Sequence, residues 1–179
     1  MPFKEVRQYS TPYLDYLHYA NDLRGSLITS VAEMERAMDV FICKHFCSSL
    51  HKQQELMEVI IATKHLTFNA KADIAKHLLV KKEELTKTQS NKFYNTLLEN
   101  IAAKRNIIAH NTLDTSNKAI TNFQTDKDKT IYFIKYSNEK ISFPFTKQDA
   151  INLGRTALAA KHVFDQINSP FRKSTRIGE

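Results

Sequence analysis

The segment Lys104-Arg105-Asn106-Ile107-Ile108-Ala109-His110-Asn111 brings a guanidinium, an amide and an imidazole together near the end of the chain's longest apolar-patterned stretch. Cleaving RNA calls for these groups. A ribose 2′-hydroxyl must lose a proton and attack the adjacent phosphorus, while the departing 5′-oxygen gains one. An imidazole can accept or donate a proton near neutral pH. A guanidinium stays charged and offers a planar fork of donors to phosphate oxygens, which stabilises charge developing on the transferring group. Asn106 can orient the histidine or the phosphate. Lys104 and Asn111 are the flanking candidates for RNA contact, although Lys104 equally suits plain solvation of the helix end.

Spacing constrains what these side chains can do together. On a helix Asn106 and His110 differ by about 40° and stand nearly above one another. Arg105 is five residues from His110, about 140° round and 7.5 Å along the axis. Those two converge only through the length of arginine or through a second copy of the chain. Arginine and histidine also occur at helix C-termini as dipole partners and caps, so spacing alone does not separate the two readings.

The elements that must carry the segment follow from apolar periodicity. Thr11 before Pro12 marks a short opening helix capped by the threonine, with Tyr13, Tyr16 and Leu17 as its docking face and Gly25-Ser26 as punctuation. Leu27, Val31, Met34, Met38, Phe41 and His45 then recur at steps of three and four, a long amphipathic helix reaching about Cys47. A shorter helix runs through Leu56, Val59, Ile60 and Ile61. A third, from about Phe68 to Leu85, turns Ile74, Leu78 and Leu79 inward and its lysines outward. Thr86-Lys87-Thr88-Gln89 has capping-box spacing and starts the helix that carries Phe93, Leu97, Leu98, Ile101, Ile107 and Ile108 to the Arg105–His110 region, with Asn111 as a left-handed terminator.

Between Ala119 and Phe145 the period changes. Ile120, Asn122 and Gln124 alternate with Thr121 and Phe123, and the stretches 130–134 and 140–143 are rich in strand formers. Polar turns fall at residues 125–128 and at Ser137-Asn138. A small antiparallel sheet is expected, packed on the helices because two or three strands alone bury too little. Thr146-Lys147-Gln148-Asp149 restarts a helix whose buried face is Leu153, Ala157, Leu158, Ala160, Val163, Phe164 and Ile167, and Pro170 marks its end. The expected architecture is mainly α, an antiparallel helical bundle with a small antiparallel β insertion at about 119–145 before the last helix. It forms one domain over residues 1–168, followed by a basic tail over 169–179.

Composition narrows the function classes. Lysine and arginine number 26 against 19 acidic residues, a net charge of +7 over 179 residues, which favours contact with polyanions such as RNA. No apolar run approaches the roughly 18 residues that cross a bilayer, and residues 1–7 lack the apolar stretch of a secretory signal, so a soluble cytoplasmic protein without membrane contact is expected. With 3 glycines a glycine-rich phosphate loop is not expected. Cys43 and Cys47 read as reduced thiols on one helix face. Adding His51 makes a line whose ends lie about 12 Å apart, which suits packing better than zinc. His45, His65, His77 and His162 have no metal-ligand spacing, so neither metal nor cofactor is expected. Glu35 is a candidate to pair with Arg105 and fix its orientation, against the alternative of an exposed surface glutamate.

The string Arg105-Asn106-Ile107-Ile108-Ala109-His110 resembles the HEPN superfamily of helical, nucleic-acid-associated domains. Its ribonuclease members carry an arginine, a polar residue and a histidine four to six positions beyond the arginine. The resemblance covers the helical chain from about Gly25 to Asn168, with the specific signal confined to this string. It implies a metal-independent endoribonuclease, usually a homodimer with two motifs facing across the interface, in toxin–antitoxin or antiviral defence roles. It also admits a non-catalytic interaction module that docks a partner such as a nucleotidyltransferase antitoxin. RNA binding without cleavage is a third reading. The sheet insertion departs from the minimal bundle.

Overall fold

Apolar periodicity does not stop at Gly25. In the computed structural model, which describes residues 10–63, 66–136 and 140–169 with only the backbone of Lys140, a single helix α1 spans Thr11–Phe46. His65, the turn at Ser137-Asn138, residues 1–9, Pro170 and the tail beyond Ser169 lie outside the described residues. Ser10, not Thr11, occupies the N-cap position, and Pro12 falls in the first turn. The expected break at Gly25-Ser26 is absent because one buried stripe runs through it: Tyr16, Ala20, Leu27, Val31, Met34, Met38 and Phe41. A mid-helix glycine costs about 0.5–1 kcal/mol relative to alanine, less than the burial of a single leucine contributes.

Helix α2 (Leu50–Leu56) starts at Ser49, whose hydroxyl accepts from Lys52 N at 3.3 Å, and runs into a π-helical turn at Met57–Ile61. That turn buries Ile61 and leaves Val59 and Ile60 exposed. Helix α3 (Phe68–Lys81) is capped by Thr67. It ends four residues before the expected Leu85, where Glu83 takes a φ of 56°, a left-handed conformation that cannot continue a right-handed helix. Its lysines do not all face outward. Lys71 is 5% exposed and its Nζ donates to Glu35 Oε1 at 2.9 Å and Asp39 Oδ2 at 3.0 Å, both on α1.

The capping box at Thr86 is formed in both directions: Gln89 N donates to the threonine hydroxyl and Thr86 N to the glutamine side chain. It opens α4 (Lys87–Asn95), which continues through a π-helical segment, Thr96–Ala102, into α5 (Ala103–His110). Strand β1 (Thr112–Leu113) follows, then α6 (Asn117–Thr125), β2 (Ile131–Tyr136), β3 (Lys140–Phe145) and α7 (Lys147–Asn168).

Residues 120–124, expected as a strand, are therefore helical. Ser116 caps α6 by accepting from Ala119 N at 3.3 Å, and the buried pair on this helix, Ala119 and Phe123, is spaced by four. Phe123 packs against Tyr16 and Tyr19, ring centroids 5.2 and 5.1 Å away. That tertiary contact overrides a local period of two. Tyr16 thus serves packing, and burial pushes its hydroxyl up to about 12.

The sheet is antiparallel in the order β1-β2-β3, with Thr112 opposite Ile134 and Phe133 opposite Phe143. Pro144 faces Tyr132, whose N–H goes to the Tyr16 hydroxyl and whose carbonyl accepts from Asp114 N. No ladder bond is lost to the proline there, as suits an edge strand. Helix α7 begins at the Thr146–Asp149 capping box and packs along α1, with Phe164 against Phe41 and Phe93 at 5.6 and 5.4 Å.

Candidate functional site

Helix α5 is short, and one buried side chain, Ile108 at 1% exposure, holds it against the core. The residues that flank the buried face are half-buried, Arg105 and Ala109 on one side and Ile107 on the other. Asn106 and His110 point away and are exposed. This is the outcome of 100° steps from a buried Ile108: positions two back and two forward leave the interior.

Arg105 Nη1 donates to Asn106 Oδ1 at 3.0 Å. The amide therefore holds the guanidinium, not the histidine. Among the described residues no side chain hydrogen-bonds the His110 ring and none joins Arg105 to His110. The Arg105–Asn106 pair and the imidazole share one solvent-facing segment as neighbours, without direct contact within one chain.

Asn111 does not adopt the expected left-handed conformation. Its φ of −92° and ψ of 151° are extended, because the chain passes straight into β1, where Thr112 pairs with Ile134. Asn111 N still closes the helix on Ile107 O at 3.2 Å, and Asn111 O accepts from Arg24 Nη2 at 3.2 Å.

Arg24 is the residue that sequence reasoning missed. Its guanidinium carbon lies 5.1 Å from the centroid of Phe133 and it brings a cation to the C-terminal end of α5, where the helix dipole favours positive charge. Its Nε is buried without a hydrogen-bond partner among the described residues. Arg24 stands 87 positions from Asn111, so no local pattern could have signalled the pairing.

Glu35 does not orient Arg105, and it is not a free surface glutamate. Its Oε1 meets Lys71 Nζ at 2.9 Å with the side chain 28% exposed. Lys104 is exposed at the rim of a cleft of about 170 Å³ lined by Ile107, Phe143, Pro144, Phe145 and Asp149. Cys43 and Cys47 are free thiols; Cys43 is buried, and burial raises its pKa. Among the described residues no group of three or more histidine, cysteine or carboxylate side chains is arranged to hold a metal ion, and no helix is long and apolar enough to cross a membrane.

Comparison with family models, curated proteins and solved structures finds no match for this chain. Chemically, an exposed imidazole can exchange a proton with a bound hydroxyl, and the neighbouring guanidinium can neutralise a phosphate oxygen.

Proposed function

We propose that this chain is a metal-independent RNA endonuclease that works as a homodimer, a HEPN-type ribonuclease acting as a toxin or defence effector restrained by an inhibitor protein. The observation that carries the reading is the solvent exposure of His110 and Asn106 on the same helical segment as a guanidinium held by Asn106.

The chemistry assigns one role to each group. The 2′-oxygen bonds to phosphorus as the bond from phosphorus to the 5′-oxygen breaks, leaving a 2′,3′-cyclic phosphate and a 5′-hydroxyl. His110 transfers protons, Arg105 neutralises the non-bridging oxygens and Asn106 holds the guanidinium planar to them. One imidazole cannot accept the 2′-hydroxyl proton and donate to the 5′-oxygen at the same moment. Two copies of His110 supply both, and a second copy also relieves the roughly 140° separation between Arg105 and His110 on one helix.

The test is cleavage of single-stranded RNA in chelator. Arg105→Ala and His110→Ala each lose at least roughly tenfold, about 1.4 kcal/mol of transition-state stabilisation, with cyclic-phosphate ends on the wild-type products. Retained rates in both folded variants defeat the reading. If RNA stays intact while Arg105→Ala dissolves a tight assembly, the surface is an interaction interface.

A further inference from the structure

An aromatic-bearing strand, β3, meets α5 beside the candidate site. Phe143 and Phe145 project from alternate positions of β3, Pro144 lies between them, and Ile107 of α5 closes the far wall. Phe145 is buried, Phe143 and Ile107 are half-buried, and Pro144 and Lys104 are exposed. The resulting cleft has an apolar lining, a cationic rim and a volume of about 170 Å³. Sites for drug-sized ligands run to about 300–1,000 Å³, so this one suits a single ring system.

Its position relative to His110 follows from helix geometry. Ile107 lies about 60° round α5 from His110, and Lys104 about 60° further in the same direction. The cleft therefore borders the histidine's flank of the helix, while Arg105 lies on the other side of Asn106. The one carboxylate in the lining, Asp149, has Oδ2 engaged by Thr146 N at 2.9 Å and by the Thr146 hydroxyl at 2.8 Å. That oxygen is committed to the cap of α7, and the cation at the rim is the ammonium of Lys104.

We infer that this cleft is a nucleobase pocket, taking one unstacked base of single-stranded RNA against Phe143 and Ile107 while Lys104 holds the flanking phosphate. The inference rests on the endonuclease reading for its biological meaning and on the cleft itself for its chemistry. An aromatic wall accepts the face of any base, and the charge that accompanies a base is a phosphate, which the rim complements. Pairing in a duplex hides base faces, so the pocket selects unpaired segments. It sets which nucleotide is presented to His110.

The experiment uses full-length His110→Ala protein, short single-stranded RNAs carrying one 4-thiouridine at varied positions, and a matched duplex. The thiobase cross-links to Phe143 or Pro144 on irradiation, and the duplex does not. Phe143→Ala weakens single-strand binding roughly tenfold or more, and Phe143→Tyr, which keeps the ring, changes it by less than about twofold. Cross-links confined to residues outside the cleft overturn the proposal, whatever Phe143→Ala does to folding. So does unchanged affinity in folded Phe143→Ala. The two readings fail separately. RNA that cross-links in the cleft but is never cut by wild type removes the nuclease and keeps the pocket. RNA cut in a His110-dependent way with no cleft cross-link removes the pocket alone.

Discussion

Two polar clusters in this molecule use similar groups to opposite ends. At the interface of α1 and α3, Lys71 is sealed between Glu35 and Asp39, with Asp39 itself 7% exposed. On α5, Arg105 is matched by a neutral amide, and Asn106 and His110 open to solvent. Burial makes the first a structural lock: each charge there is held by a partner on the facing helix, and removing one strands the other in low dielectric. Exposure leaves the second free to meet a ligand, at little cost to the fold. Burial also shows in titration. Desolvation raises Asp39 from an ordinary 3.8 to about 6, against the pull of Lys71. Lys71, which burial alone would lower, ends raised because both carboxylates bond it.

The contrast breaks first, and hardest, at Lys71. Lys71→Met strands Asp39 without its cation and should cost about 3–5 kcal/mol of stability, read from urea unfolding midpoints; converting all three residues to apolar ones of similar volume should recover most of it. A loss under about 1 kcal/mol would show that the cluster is no lock.

The same cluster predicts a pH signature. Because Asp39 takes up its proton at about 6 in the folded chain and at 3.8 when unfolded, the folded state holds the extra proton between those values, and its stability contribution falls as pH rises through that window. Wild-type stability should therefore fall between about pH 4 and pH 6 and then stay level, and Asp39→Asn should lose that slope. A wild-type stability that rises with pH through this window would reverse the assignment.

At the exposed cluster the readouts separate. Arg105→Ala and His110→Ala should each cut RNA cleavage at least about tenfold while moving stability by less than about 0.5 kcal/mol. A stability loss as large as that of Lys71→Met would mean that the two regions do not differ in kind. Arg24→Met sits between them. It removes the charged donor to Asn111 O but also the unbonded Nε, for a net cost of about 1 kcal/mol, and amide exchange should quicken at the end of α5. The smallest effect belongs to Asn106→Ala, which frees Arg105. Cleavage falls severalfold and stability stays within about 0.3 kcal/mol.

Local signals were legible wherever the partners lie within one helical turn. The capping boxes at Thr86 and Thr146 could be read from spacing, and so could the placement of Arg105, Asn106 and His110 on one helix. Of the expected buried face of α7, Leu153, Ala157, Ala160 and Phe164 are buried, but Leu158 is 50% exposed because it steps 100° out of that stripe. The 120–124 segment misled because its strand formers alternate, while the Ser116 cap and the spacing of Ala119 and Phe123 allow a helix just as well. Phe123 against Tyr16 decides between them. Gly25 looked like a break because the stripe that carries α1 past it gains its stability from other elements.

By itself the sequence determined a mainly helical chain, the ends of several helices, and a shared helix face for the amide and imidazole of residues 106 and 110. Tertiary structure decided which cation is buried, that Glu35 serves Lys71 and not Arg105, that Arg24 holds the end of α5, and that an aromatic cleft adjoins it. Caps and stripes are fixed by neighbours a few residues away. Burial and ion pairing depend on elements that meet only after the chain has folded, 32 residues apart for Lys71 and Asp39 and 87 for Arg24 and Asn111.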